Sequence, residues 1–201
     1  EGLGSAFEIL GTSIKPYPCV RYMHPSIDGV LKIIKENQIK PEEIERVRLG
    51  ILKAGFPMIA SPKELKYCPQ SMVDAQFSMP FGAAIAIIYG KVSLGHFRSE
   101  VIQSERVKEM MRKIECVEDL ELEKVFPKQW PATIEIRTKK GIKFSTRITH
   151  AKGDPENPLS WEELIGKFRE LTLPIYKNDR VEKLFKQIKN MELQKGLGQW
   201  S

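Results

Sequence analysis

Apolar residues return at helical spacing over residues 25–38, where Ile27, Val30, Leu31 and Ile34 share one face and Asp28 stands in the first turn. Residues 44–52 change to a period of two, with Val47, Leu49 and Ile51 set against Arg46 and Arg48, which predicts a half-buried strand. The same alternation runs over 133–149 on both sides of Lys139-Lys140-Gly141. It predicts a β-hairpin whose glycine takes positive φ at the turn. The β-branched and apolar residues of 7–14 predict a strand. Residues 56–67, rich in proline and lysine, predict a loop.

Residues 71–90 read as helix interrupted at Pro80, since an internal proline removes a hydrogen bond and kinks or restarts a helix. The Gly82-Ala-Ala-Ile-Ala-Ile-Ile run beyond it is small and apolar on all sides, which predicts burial, and Gly90 supplies the stop. An amphipathic helix over 104–114 begins at Ser104, and Ser160-Trp-Glu-Glu163 is a capping box for a helix reaching about Leu171. Asn178 or Asp179 opens a last helix ending near Leu193, and the glycine-rich tail from Lys195 is expected to fray. Helices, strands and a hairpin in irregular order predict an α+β fold, with a mixed sheet and helices mainly on one face. The division expected is a domain over 1–175 followed by a C-terminal helix and tail over 176–201.

Composition narrows the class. The 201 residues suffice for one good-sized core, and 41% hydrophobic with 29% charged residues is ordinary for a globular protein. No apolar run approaches the roughly 20 residues of a membrane-spanning helix, and no signal-peptide pattern opens the chain. The net charge of +6 raises nucleic-acid binding as an alternative, yet basic residues alternate with acids along most segments, and aromatic–basic interleaving is missing. No nucleic-acid partner and no membrane are therefore expected. Three scattered cysteines, Cys19, Cys68 and Cys116, make neither a zinc pattern nor a disulfide framework. They fit a reducing cytoplasm, and no metal or other cofactor is expected.

Candidate chemistry concentrates in Lys15-Pro-Tyr-Pro-Cys-Val-Arg-Tyr-Met-His-Pro-Ser-Ile-Asp28. Pro16 and Pro18 fix their own φ and push Lys15 and Tyr17 toward extended geometry. A cation and a titratable imidazole, His24, thus stand on short stiff tethers, an arrangement suited to handling an anion. The alternative is a surface lysine and a histidine that caps a helix. His96 and His150 lack any partner motif, and Cys19 reads as a small buried hydrophobe rather than a reactive thiol.

Three separated motifs carry a family resemblance. The first is the segment just quoted, which resembles the Lys-x-Tyr-Pro-Cys…His-x-x-Ile-Asp signature of the MmgE/PrpD family. The second is Asp74-Ala-Gln-Phe-Ser-Met-Pro-Phe-Gly-Ala-Ala-Ile-Ala-Ile-Ile-Tyr-Gly90, similar to the family's Ala-x-Phe-Ser-x-Pro-Tyr-x-x-Ala helix. The third is Gly153-Asp-Pro-Glu-Asn-Pro-Leu-Ser160 with Lys167-Phe168 beyond it. The family includes 2-methylcitrate dehydratase, cis-aconitate decarboxylase and iminodisuccinate epimerase.

The resemblance implies the lid-type C-terminal domain of a cofactor-independent lyase or isomerase acting on citrate-like polycarboxylates, 2-methylcitrate among them. It implies a homodimer, and a partner in the family's N-terminal helical domain, which is expected to be absent from this chain and without which the domain is expected to be inactive. By the same resemblance Lys15 and His24 are the catalytic candidates. Lys15 would pair with a substrate carboxylate; His24 would act as acid–base or hold the lysine segment. Tyr17, Ser78 and Phe81 are the substrate-binding candidates. Where family members often carry tyrosine this chain has Phe81, so that hydroxyl is missing. Asp154 and Asn157 are read as closing a turn. The competing reading is a non-catalytic binding or dimerisation module.

Overall fold

The computed structural model describes residues 7–193 together with Gly2, Gly4 and Ser5. The expected fraying beyond Lys195 lies outside the described residues. The chain divides into two compact units, Glu1–Pro158 and Leu159–Ser201.

The first unit is built on a four-stranded mixed sheet in the order β2-β1-β3-β4, with β1 Ile44–Ile51, β2 Ile114–Glu118, β3 Ala132–Thr138 and β4 Lys143–Ile148. β1 runs parallel to β2 and antiparallel to β3, which pairs antiparallel with β4. The hairpin is the one the alternation predicts. Gly141 takes φ 81°, its N–H donates to the Thr138 carbonyl at 2.8 Å, and Thr138 N–H donates to the Ile142 carbonyl at 2.9 Å.

One face of the sheet is apolar and the other charged. Val47, Leu49, Ile134 and Ile136 are buried, whereas Arg46, Arg48, Arg137 and Arg147 are exposed. A register shift between Ile44 and Arg46 explains the imperfect alternation of β1, because a bulge resets which side chains face inward. Helix α1, His24–Asn37, packs on β3 and β4 through its apolar stripe.

Short helices α2 Phe56–Ile59, α3 Lys63–Lys66 and α4 Met72–Gln76 lead to α5, Met79–Tyr89. The fully apolar α5 is buried over Met79–Ile87 and packs against α1, β2 and α7, Glu105–Arg112. Single-turn helices α6, Ser99–Ile102, and α8, Leu120–Glu123, complete the unit. The mixed sheet with helices gathered on its apolar face is the α+β class the sequence predicts.

Several local expectations shift. Residues 7–14 form a 3-10 turn over Glu8–Gly11 with no buried residue, because no strand lies alongside to pair with them. The proline- and lysine-rich stretch folds as α2 and α3 rather than open loop. The helix break falls before Ser78, with Pro80 inside the first turn of α5, where its missing N–H costs nothing. The helix expected to reach Ile114 ends at Arg112, and Ile114 opens β2, stabilised by parallel pairing with β1 that no local pattern announces.

The second unit holds α9, Trp161–Thr172, and α10, Asn178–Lys189. The Ser160 hydroxyl accepts from Glu163 N–H at 3.2 Å and the Glu163 carboxylate accepts from Ser160 N–H at 2.7 Å, which is the predicted capping box. Arg169 grips Glu182 through two bonds of 2.7 and 2.9 Å, linking the two helices.

Candidate active site

Lys15 and His24 converge on one backbone oxygen. Lys15 Nζ donates to the Cys19 carbonyl at 3.3 Å, and His24 Nε2 lies 3.3 Å from that same oxygen. A carbonyl only accepts, so Nε2 carries the proton. The chain bends through residues 16–19, and the Arg21–Met23 3-10 turn delivers His24 as the first residue of α1, 2% exposed. Tyr17 lies against this pair. Its ring meets the His24 ring edge-on at 5.3 Å between centroids, and its hydroxyl donates to Asp28 Oδ1 at 2.6 Å. The other Asp28 oxygen accepts the Lys152 N–H at 2.7 Å.

The segment is held from two further sides. Gln76, the last residue of α4, accepts Val20 N–H on its backbone carbonyl at 3.1 Å and donates its side-chain amide to the Pro18 carbonyl at 2.8 Å. The Cys19 peptide, whose oxygen both candidates share, is thereby clamped on each side. Asp154 Oδ1 accepts from Ser13 Oγ at 2.8 Å and from Arg21 Nη2 at 2.7 Å. The Arg21 guanidinium lies over the Trp130 ring at 4.7 Å, and Trp130 stacks on Tyr22 at 4.6 Å.

Burial and charge set the protonation states. Burial pushes the His24 imidazole down to about 4, helped by the neighbouring Lys15 and Arg21 cations and opposed by its Cys19 bond and by Asp154. At neutral pH His24 is uncharged beside two cations. Burial pushes the Cys19 thiol up to about 12, so the thiolate is absent in ordinary conditions. Burial also raises the Asp28 carboxyl, against the Tyr17 and Lys152 bonds that favour its charged form. The arrangement gathers an ammonium, a guanidinium paired to Asp154 and a buried neutral imidazole within one clamped segment.

The family's C-terminal domain matches the chain over residues 17–193. The chain belongs to the MmgE/PrpD family. It is 21% identical over 197 residues to the cis-aconitate decarboxylase-like protein oryM of Aspergillus oryzae, covering 94% of this chain and 40% of that protein. It is 26% identical over 124 residues to the cis-aconitate decarboxylase of Mus musculus, covering 62% of this chain and 25% of that enzyme. The chain thus spans less than half the length of these relatives. Lys15 stands just before the matched stretch, which opens at Tyr17.

Within the first unit, residues of all three MmgE/PrpD motifs meet. The third supplies Asp154 and the second supplies Gln76, and both bind the first. Ser78 is buried at the start of α5, where its hydroxyl donates to the Lys66 carbonyl at 2.5 Å and accepts from Phe81 N–H at 3.2 Å. Phe81 is wholly buried, with its ring 5.5 Å from that of Phe97. Lys15, Tyr17 and His24 are therefore brought together, while Ser78 caps α5 and Phe81 fills core.

His96 Nδ1 accepts from Ser93 N–H at 3.2 Å and its ring stacks on Tyr89 at 4.4 Å; His150 lies 3.7 Å from a Glu156 oxygen. Among the described residues, no group of three or more His, Cys, Asp or Glu side chains could hold a metal ion, and no helix is long and apolar enough to cross a membrane.

Sequence reasoning missed Gln76, Arg21 and Asp28 as parts of this constellation and read Asp154 only as a turn residue. The available signal was position: each is a polar residue inside one of the three motifs.

Proposed function

We propose that this domain supplies a cationic half-site to a lyase acting on citrate-like polycarboxylates, without a bound cofactor and together with the family's N-terminal helical domain. The observation that carries the reading is the convergence of Lys15 and His24 on the Cys19 carbonyl, 3.3 Å from each. Losing carbon dioxide or a proton beside a carboxylate builds negative charge on the adjacent carbon. A fixed ammonium lowers that barrier by stabilising the charge as it forms, most effectively in a partly dry cleft.

His24 then takes the acid–base role. Lys15 and Arg21 help to hold its imidazole neutral. Burial is the larger cause of its depressed pKa; a bound polycarboxylate offsets the two charges and so moves the imidazole upward from there. The names of the relatives make cis-aconitate the first substrate to try, with 2-methylcitrate beside it.

The test is turnover of both acids by the intact protein and its Lys15→Ala variant, with calorimetric titration of each acid. Turnover lost by at least about a hundredfold in a folded variant supports the reading. Wild-type rates in Lys15→Ala overturn it.

A further inference from the structure

Asp154 is 4% exposed, and one of its oxygens takes two donors that lie on opposite sides of Lys15 in the chain. Ser13 precedes the lysine and Arg21 follows it. The same turn adds a third tie, Ile14 N–H to the Gly153 carbonyl at 2.8 Å. The turn itself is closed by Gly153 N–H to the Asn157 carbonyl at 2.8 Å, Asn157 N–H to the Asp154 carbonyl at 2.9 Å, and the Asn157 amide to the His150 carbonyl at 3.1 Å. A turn so closed has no need of a charge. Burying a carboxylate is costly unless it is paired, and the Asp154 carboxylate bonds two side chains outside the turn, Ser13 and Arg21.

We propose that Asp154 is a positioning residue: its buried carboxylate grips the chain on both sides of Lys15, through Ser13 and Arg21, and so fixes where the ammonium stands relative to His24. The inference rests on the reading given under Proposed function. Two properties of the pair argue for more than a stabilising contact. The Arg21 guanidinium is fixed twice, by Asp154 and by the Trp130 face, so its charge is oriented rather than averaged. Asp154 also acts electrostatically on His24, alongside Lys15, Arg21, the Cys19 carbonyl and the Tyr17 ring. Asp154 supplies the negative charge against those two cations, so removing it shifts the imidazole further toward its neutral form.

The experiment compares wild type, Asp154→Asn and Lys15→Ala in the intact protein, reading kcat, KM, thermal stability and the His24 titration by NMR. Asparagine keeps an acceptor oxygen and removes the charge. The expected result is a kcat lower by about tenfold to a hundredfold with KM within about twofold, because a misplaced cation loses the transition state more than the ground state. The His24 titration midpoint falls in the same variant. A folded Asp154→Asn with wild-type kcat and an unmoved His24 titration, while Lys15→Ala is inactive, overturns this inference alone. Full activity in Lys15→Ala overturns the underlying reading and this inference with it.

If Asp154→Asn does not fold, Ser13→Ala, Arg21→Gln and their double variant take its place. Losses in kcat that are less than multiplicative support a common action through Asp154, and independent losses or none overturn it.

Discussion

Ile14 donates its backbone N–H to the Gly153 carbonyl at 2.8 Å, and the Ile14 carbonyl oxygen lies 1.9 Å from where a Cβ on Gly153 would stand. Gly153 also takes φ 90°. Two independent reasons therefore demand glycine: the left-handed backbone and the contact with the chain next to Lys15. The obstructing atom is backbone, so no side-chain rotation relieves it. Gly153→Ala is expected to lose about 2–4 kcal/mol of stability, combining backbone strain with displacement of the lysine segment. Urea unfolding measures the loss; a variant as stable as wild type would show that the turn and the segment are not in this contact.

The His24 imidazole sits at about 4 in the folded chain against an ordinary 6.5. Between those values the unfolded chain binds the proton that the folded chain refuses. Stability from this group is complete above about pH 6.5 and declines as pH falls toward 4, with a total on the order of 3 kcal/mol. Unfolding free energies measured from pH 7 to 4 should show that slope, and His24→Gln should remove it. Added citrate should raise the titration midpoint by offsetting Lys15 and Arg21. A midpoint near 6.5 in the absence of ligand would contradict the burial of His24.

What the sequence made legible follows from the range of each cause. The α1 stripe, the hairpin at Gly141 and the Ser160 capping box are set by residues a few positions apart, and each forms as its pattern predicts. β2 was hidden because its five residues are strand only by virtue of β1, far earlier in the chain. The site divides the same way. Lys15, Tyr17 and His24 lie in one motif and could be named together. The roles of Gln76 and Asp154 exist only when the other two motifs fold onto it, and spacing within a motif carries no trace of that.

The three thiols should separate sharply toward an alkylating agent. Burial pushes Cys19 and Cys116 up to about 12, whereas Cys68 is exposed. The thiolate is the reactive form, so at pH 8 the first two react through only about one molecule in ten thousand at a time. Iodoacetamide under native conditions should label one site rapidly, and Cys68→Ser should abolish that fast phase. All three should react in denaturant. Rapid labelling of Cys19 would show that the lysine segment opens on the timescale of the experiment.

Tyr17 combines two functions that a single substitution can separate. Its ring packs on His24, and its hydroxyl donates to Asp28 Oδ1 at 2.6 Å. Tyr17→Phe keeps the ring and leaves that carboxylate oxygen without its donor. Burial already raises the Asp28 carboxyl, and the Tyr17 bond is the largest influence holding it down, so the variant's carboxyl should rise further. At pH 7 the cost is about 1–3 kcal/mol, the penalty of a buried acceptor left unsatisfied. A folded pKa above the unfolded value means the penalty is present above the folded pKa and shrinks as pH falls and the carboxyl protonates. Urea unfolding of wild type and Tyr17→Phe at pH 7 and pH 4 should therefore give a large difference at the first and a smaller one at the second. An equal difference at both would mean that the lost hydroxyl acts through packing rather than through Asp28. Because the ring stays on His24, kcat per folded molecule should fall far less than in Lys15→Ala.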